Sequence, residues 1–587
     1  MKKNALVNWT LNKPLLPKCG ESTALALLAL VTMMTGPSAG FADSVTNRGT
    51  STPALAGATI IARPSLALLP PMGWNSWNCL TEHVTEQAVR EMADAMVSSG
   101  MKDAGYQYIV VDDFWEQGRV SKPERKVEER PGRDAQGILL ADPVRFPSGI
   151  KALADYVHSK GLKFGVYTSP GESTCGCNTA SYGHIETDLN TFAAWGVDFI
   201  KLDMCGDAEQ PEAVLQEWRA GINRLNRPMI FSSSGIGYDY ALSGRYADMW
   251  RTTTDLMTKF RYPPGQFRKQ ECICSVIDQQ IGLERYSGPG HWNDPDMLRA
   301  GNAGLSLDEC RAHFGMWAML AAPLIAGNDL RIMKPEVRDI LINREVLAVD
   351  QDPAGRQGYL VQQPEKDLQV WVRPLVDPTQ IAVALLNRGS VAITNELSLA
   401  SIGIHGPAFF RDLFAHQDLG LQTNSLAITV PAHGIRLLKI STFEFLTPPP
   451  AYVFPPLDFS QGPVRIEAED DSRVCFYKGY ATNALPQFSG ESYVTGVKAY
   501  SLRMRFNLPI AKTDTYLGTF RYQNTGKEAI LGKLNGSSVT FAPTSEGKWQ
   551  TASVALPLKA GMNHVQLYCS GLEQGDLAID CLDLQPQ

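Results

Sequence analysis

Tyr108-Ile109-Val110-Val111-Asp112-Asp113-Phe114-Trp115 is four consecutive apolar residues running straight into two carboxylates. A strand apolar on both faces must be covered on both, as parallel strands are by the helices of α/β proteins. The same unit recurs to either side. Short apolar runs at 70–75, 107–113, 163–168, 198–203, 228–233, 248–253, 290–294 and 323–327 read as strands. Helical patterns at 84–99, 148–160, 185–195, 212–225, 266–283 and 307–321 lie between them. In the second of these, Ile150, Leu153, Ala154 and Val157 repeat at helical spacing, with Ser148 as the expected cap and Gly161 as the expected stop. Eight units over about 250 residues favour a (β/α)8 TIM barrel over an open doubly wound sheet.

Beyond Asp350 the texture changes to short β-rich segments, among them 367–372, 381–386, 392–397 and 427–430, separated by Gly, Pro and Asn. These read as an antiparallel β-sandwich. Pro448-Pro449-Pro450 and Pro455-Pro456 make a stiff, extended linker, and a third all-β unit with jelly-roll character follows. The expected organisation is a leader at 1–42, a linker at 43–66, the barrel at 67–352 and the sandwich at 353–443. A Pro-rich connector at 444–463 and the jelly roll at 464–587 complete it.

The 587 residues are 44% hydrophobic and 20% charged, an ordinary globular composition. A net charge of −7 argues against a nucleic-acid partner, and no GxGxxG follows the first strand. Lys2, Lys3, Lys13 and Lys18 precede an 11-residue apolar run, Ala24 to Met34. Too short to span a bilayer, it suits a signal segment with cleavage after Gly40-Phe41-Ala42. Cleavage takes the charge to −10 and gives a secreted or periplasmic chain with no membrane insertion in the mature form. Ten of the 11 cysteines remain, and in a large exported chain they suggest a few local disulfides on a core that could stand without them. Cys175-Gly-Cys177 and Cys272-Ile-Cys274 lack paired CxxC spacing, and the nine histidines form no HExxH, so zinc catalysis is not expected. Nothing in the sequence sets the oligomeric state.

A barrel carries its chemistry beyond the C-terminal ends of its strands. Those ends are Trp74 and Trp77; Asp112 and Asp113; Tyr167; Lys201 and Asp203; Arg251 and Asp255; and Asp294 and Asp296. Carboxylates accept sugar hydroxyl protons and aromatic faces pack on pyranose C–H groups, so the rim describes a sugar site. Two of its carboxylates suffice for glycoside hydrolysis. Asp203 suits the nucleophile, its pKa lowered by nearby Lys201, and Asp255 suits the acid/base where apolar and negative surroundings raise it. The competing readings are plainer: strand-end aspartates as loop acceptors, and Trp74 and Trp77 as plugs of the barrel mouth.

Pro71-Met72-Gly73-Trp74-Asn75-Ser76-Trp77, Val110–Trp115, Phe164–Tyr167, Lys201-Leu202-Asp203-Met204-Cys205, Trp250-Arg251 with Asp255, and His291–Leu298 together resemble the α-galactosidases (melibiases) of glycoside hydrolase family 27. The resemblance runs in order through 69–352 and into the sandwich. It implies a retaining enzyme that removes terminal α-galactose without a metal or organic cofactor, with Asp203 as nucleophile and Asp255 as acid/base. It assigns Asp112 and Asp113 to sugar hydroxyls and Trp77 to a wall, with Tyr167, Lys201, Arg251 and Asp296 completing the pocket. It also implies a Cys175–Cys205 disulfide. Two departures stand out. Where many members carry Cys-Glu-Trp, this chain has Phe231-Ser232-Ser233-Ser234-Gly235, which leaves room for a 2-acetamido group or reflects a differently built loop. Phe114 stands where a cysteine is common, leaving Cys79 without an assigned partner.

The last unit resembles carbohydrate-binding modules of families 6 and 35, through Val464–Asp470, Leu558–Asn563 and Leu577–Asp580. That resemblance implies a structural calcium held by Glu467, Glu469 and Asp580; exposed acidic residues on a sheet are the alternative. Tyr477, Tyr480 and Tyr500 are candidate sugar contacts. The expectation is therefore an exported α-galactoside hydrolase. Its alternatives are an α-N-acetylgalactosaminidase or β-L-arabinopyranosidase on the same scaffold, a noncatalytic sugar-binding barrel and, more distantly, a metal-dependent barrel hydrolase.

Overall fold

The computed structural model describes residues 66–118, 131–205, 211–235, 240–262, 271–468, 470, 473–477, 479–482, 485, 487–490, 492–496, 501–534, 537–545, 548–570 and 577–587. The expected leader and Glu469 lie outside these residues, as does Tyr500.

All eight barrel strands form: β1 (Met72–Asn75), β2 (Tyr108–Val111), β3 (Lys163–Thr168), β4 (Phe199–Asp203), β5 (Ile230–Ser234), β6 (Met249–Arg251), β7 (Trp292–Asp294) and β8 (Leu324–Ala326). Every ladder is parallel, in the order β7-β6-β5-β4-β3-β2-β1-β8. The seam closes just past β7, where Leu298 forms a parallel bridge with Ala326. The four residues of β2 are all buried, as two covered faces require.

The helices obey the local signals with two exceptions. In Glu86–Ser98, Thr85 caps the first turn by accepting from the Ala88 amide, and Val89, Met92, Ala93 and Met96 face the core. Such a cap stabilises a helix by about 1 kcal/mol. Gly161 ends Gly149–Ser159 at φ +68°, a left-handed turn suited to glycine. Ser148, however, makes no side-chain cap; its amide donates to Glu86 instead. Of the helix expected over 266–283, residues 266–270 lie outside the described residues, and among the rest Ile273–Gln279 is helical. The sequence reading also missed Tyr240–Tyr246.

The following unit is an antiparallel β-sandwich of a six-stranded and a two-stranded sheet. Its inner face has its own core, while Trp371, Ala382, Leu386 and Leu437 join the barrel core. Helix Leu307–Met319 lies at this junction and is buried almost throughout. Gly315 lets the sandwich pack close there: a Cβ would sit 3.0 Å from Ile435 and 3.1 Å from Phe414, so those side chains would have to shift to admit one.

The proline-rich connector is held at several points. The Tyr359 hydroxyl donates to Pro449 O, the Tyr452 amide to Leu360 O and the Leu457 amide to Pro509 O. The last unit packs two antiparallel sheets around a separate core that includes Ile466, Phe506, Phe520 and Leu567. Among the described residues no helix is long and apolar enough to cross a membrane.

Candidate active site

Asp203 ends β4 and its carboxyl is flanked by strand-end side chains. The Tyr167 hydroxyl donates to its Oδ2 at 3.3 Å, and Cys175 Sγ lies 3.8 Å from the same oxygen. Cys175 and Cys205 form the disulfide that the resemblance implied. Their sulfurs and an Asp203 oxygen lie within 4.8 Å of one another, but a disulfide has no thiolate to offer a metal.

Lys201 donates to Asp112 Oδ2 at 2.7 Å and Asn75 Nδ2 donates to the same oxygen at 2.8 Å. Burial alone would lower the lysine, but Asp112 and Asp203 outweigh it and push it up to about 12. Removing one partner of such a buried pair costs about 3–5 kcal/mol, because the other charge is left uncompensated.

Asp113, beyond the end of the strand, takes different partners from Asp112. It clamps the loop that carries Cys175: Thr174 Oγ1, Asn178 Nδ2 and the Gly176 amide donate to it at 2.8, 2.9 and 2.6 Å. These contacts supply a positioning role that the sequence reading missed, and burial pushes Asp113 upward despite them.

Asp255 follows β6. Arg251 Nη2 reaches its Oδ1 at 3.3 Å and Asp296 Oδ2 at 3.0 Å. Asp296 also accepts from the Leu256 amide at 2.7 Å, fixing the residue next to Asp255. Asp296 adopts φ +89°, an uncommon conformation for a residue with a side chain. Three contacts hold it there: Met297 N to its Oδ1, Trp317 Nε1 to its carbonyl, and its own amide to Asp294 Oδ1. Strain retained in this way is characteristic of a working site.

The electrostatics correct one expectation. Asp203 is raised, chiefly by burial, then held back by Lys201 and raised again by Asp255 and Asp112. At Asp255 the protein walls around the carboxyl favour the neutral form, although the side chain still meets solvent, but Arg251 and then Lys201 overcome this and hold the carboxyl below its ordinary range. The expected ordering is thus reversed in the free site. Asp255 stands in an open cleft, its side chain 60% exposed, so a sugar that displaces its water removes solvation from the charged form. Asp294 was seen on the rim without a role; burial first, with Arg251 and Asp296 acting in opposite senses, leaves it raised to about 6.

The aromatic rim is narrower than expected. Trp74, Trp115, Trp250 and Trp292 are buried; Trp74 Nε1 donates to Asn328 O and Trp115 Nε1 to Tyr167 O. Trp77 alone of the tryptophans at these strand ends stays half-exposed. Its ring stacks on Phe114 at 6.2 Å, and Arg145 lies over Phe114 at 5.5 Å. Phe114 thus braces the wall from the position where a cysteine is common. Cys79 is free, and burial, then Asp329, pushes it up to about 12.

Ser234 pairs with Asp203 across the β4–β5 ladder, and its carbonyl accepts from the Met204 amide. A Cβ on Gly235 would stand 3.2 Å from Asp203 Oδ1, so small residues line this side of the carboxylate.

The second expected site lies in the last unit. The Ser489 hydroxyl lies 2.7 Å from Glu467 Oε2 and 2.9 Å from Asp580 Oδ2, with one proton to give to either, and its amide donates to Asp580 Oδ1 at 2.8 Å. Arg521 Nη1 also bonds Asp580. Burial, then the neighbouring Asp580, raises Glu467, an imbalance that a hard cation relieves.

Residues 69–352 match the family model described as alpha galactosidase A, and 365–440 match the alpha galactosidase C-terminal beta sandwich domain. Alpha-galactosidase A of Cellvibrio japonicus is 39% identical over 392 residues, spanning 64% of this chain and 93% of that protein. Alpha-N-acetylgalactosaminidase of Gallus gallus is 36% identical over 363 residues, 58% of this chain and 84% of that protein. The crystal structure of alpha-galactosidase I from Mortierella vinacea superposes with a TM-score of 0.59 at 32% identity, covering 65% of this chain and 99% of that one. With its barrel, its sandwich and the carboxylate cleft between strand ends, the chain belongs to the alpha galactosidase A family of glycoside hydrolases.

Proposed function

We propose that the protein is an exported, retaining exo-glycosidase that releases terminal α-D-galactosyl residues by double displacement. Asp203 ends β4 and Asp255 lies four residues beyond Arg251 at the end of β6, on the same C-terminal rim of the barrel, with Arg251 held between Asp255 at 3.3 Å and Asp296 at 3.0 Å. That observation carries the reading. Asp203 attacks the anomeric carbon while Asp255 protonates the departing oxygen. Asp255 then takes a proton from water, which attacks the galactosyl ester and frees Asp203. Lys201 with Asp112 and Asp113, Tyr167, Trp77, Arg251 and Asp296 shape the sugar pocket, with Ser234 beside the 2-position.

The small residues at Ser234 and Gly235 favour a second reading, an α-N-acetylgalactosaminidase, since no large side chain projects from them beside Asp203. Hydrolysis of nitrophenyl α-galactoside, its 2-acetamido analogue and nitrophenyl β-L-arabinopyranoside separates these readings. The galactoside should give the largest kcat/KM; preference for either of the others reassigns the substrate.

The lysine-flanked apolar run supports export, and a mature chain beginning at Asp43 is the product to look for by mass. The last unit is proposed as a jelly-roll carbohydrate-binding module with calcium on Glu467, Glu469 and Asp580. Calcium should raise its thermal stability without changing kcat, whereas identical unfolding in calcium and in chelator would refute that site.

A further inference from the structure

The strand Ser501–Ile510 alternates. Leu502, Met504, Phe506 and Leu508 enter the core of the last unit, while Arg505 and Asn507 lie on the opposite face. Such a face would ordinarily meet water, yet Arg505 is only 1% exposed. It is covered by the barrel. Arg505 Nη1 donates to the Tyr240 hydroxyl at 2.7 Å, and Nη2 reaches Gln279 O at 3.4 Å. His564, whose Nδ1 pairs with Asn507 Oδ1, belongs to the same face, and a Cβ on Gly282 would lie 3.4 Å from its Nε2. Burial, then Arg505 and Arg285, pushes His564 down to about 3, so it stays neutral beside the guanidinium.

Tyr240 passes the contact on. Its hydroxyl donates to Thr252 O at 3.1 Å. Thr252 directly follows Arg251; its amide donates to Asp294 O at 2.9 Å, and its hydroxyl lies between Gln280 Oε1 at 3.0 Å and the same Asp294 O at 3.1 Å. It therefore joins the ends of β6 and β7, the strands that present Arg251, Asp294 and, just beyond them, Asp255 and Asp296. A guanidinium buried here has been taken out of water at a cost that its partners must recover, which fixes the geometry of those partners.

We infer that Arg505 is a positioning residue for hydrolysis: through Tyr240 and Thr252 the last unit holds the end of β6 and sets how Arg251 meets Asp255. The appended unit is then a fixed part of the catalytic machine, whatever sugar it also binds. This rests on the glycosidase reading, which turnover of nitrophenyl α-galactoside by the unaltered protein tests separately.

The experiment compares full-length Arg505→Met, Arg505→Lys, Tyr240→Phe and the Arg505→Met/Tyr240→Phe double variant. Arg505→Met should lower kcat about tenfold, the size of effect that small misplacement of a reacting group produces. The groups facing Asp255 are Arg251, Lys201, Arg299 and Asp203. As the hold of Arg251 loosens, the alkaline limb of kcat/KM should move to higher pH. Tyr240→Phe should reproduce both changes, the double variant should add nothing further, and Arg505→Lys should restore part of kcat. A fall in thermal stability with kcat and the limb unmoved would overturn the inference, as would effects that multiply in the double variant. Should Arg505→Met fail to fold, Tyr240→Phe alone decides: an unmoved limb sinks the proposal.

Discussion

Asp203→Asn is expected to lose turnover of nitrophenyl α-galactoside by about 10⁴-fold or more while still binding galactose. Asparagine keeps the volume of the carboxylate and an oxygen for the Tyr167 hydroxyl, so the pocket should persist. What it lacks is an ionised oxygen to form the galactosyl ester. Burial already places the native carboxylate in a site where its charge is poorly solvated, which makes it reactive, and Lys201 keeps it from being neutralised altogether. Calorimetric binding of galactose, measured beside turnover, distinguishes loss of chemistry from loss of the pocket. Residual activity above a hundredth of the native rate would assign the nucleophile elsewhere.

Asp255→Ala is expected to divide substrates by leaving group. With a good phenolate leaving group the first step needs little proton donation, so that substrate should still form the ester. An oligosaccharide leaving as a sugar alkoxide should lose about 10²–10⁴-fold, the range that general acid catalysis supplies. The second step also loses its base, and added azide, which needs no deprotonation, should restore turnover of the nitrophenyl galactoside. The pH dependence carries a sign. Arg251 holds Asp255 below its ordinary range in the free site, so the proton required for the first step is lost early as pH rises. Native kcat/KM should therefore peak in acid and decline on the alkaline side, and the alanine variant should lack that alkaline limb for the nitrophenyl substrate. An unchanged limb in the variant would exclude Asp255 as its source.

The eight strands were legible because apolarity on both faces is a property of contiguous residues. Their ends were less so: 248–253 was expected where Met249–Arg251 forms, since side chains there leave the ladder to build the site. The site residues were legible as strand-end carboxylates and lysines, but their couplings were not. Lys201 and Asp203 are two residues apart, which invited a lowered nucleophile, yet burial outweighs that neighbour. The clamp on Asp113 joins residues 61 to 65 positions apart, a distance that no local pattern spans. The tryptophans stayed open between two roles for a similar reason: an indole near a strand end reads alike whether it faces sugar, as Trp77 can, or plugs the barrel, as Trp74 does. In the last unit the acidic pair Glu467 and Asp580 was legible, whereas Arg521 and Ser489 between them came from other strands and loops.

Mass spectrometry of peptides from enzyme treated with a fluorinated, slowly hydrolysed α-galactosyl donor tests the two-step chemistry at its centre. A galactosyl label on the peptide that carries Asp203, released again on dilution into buffer, is the predicted result. A label on any other side chain, or none while the native enzyme releases β-galactose as its first product, would contradict it.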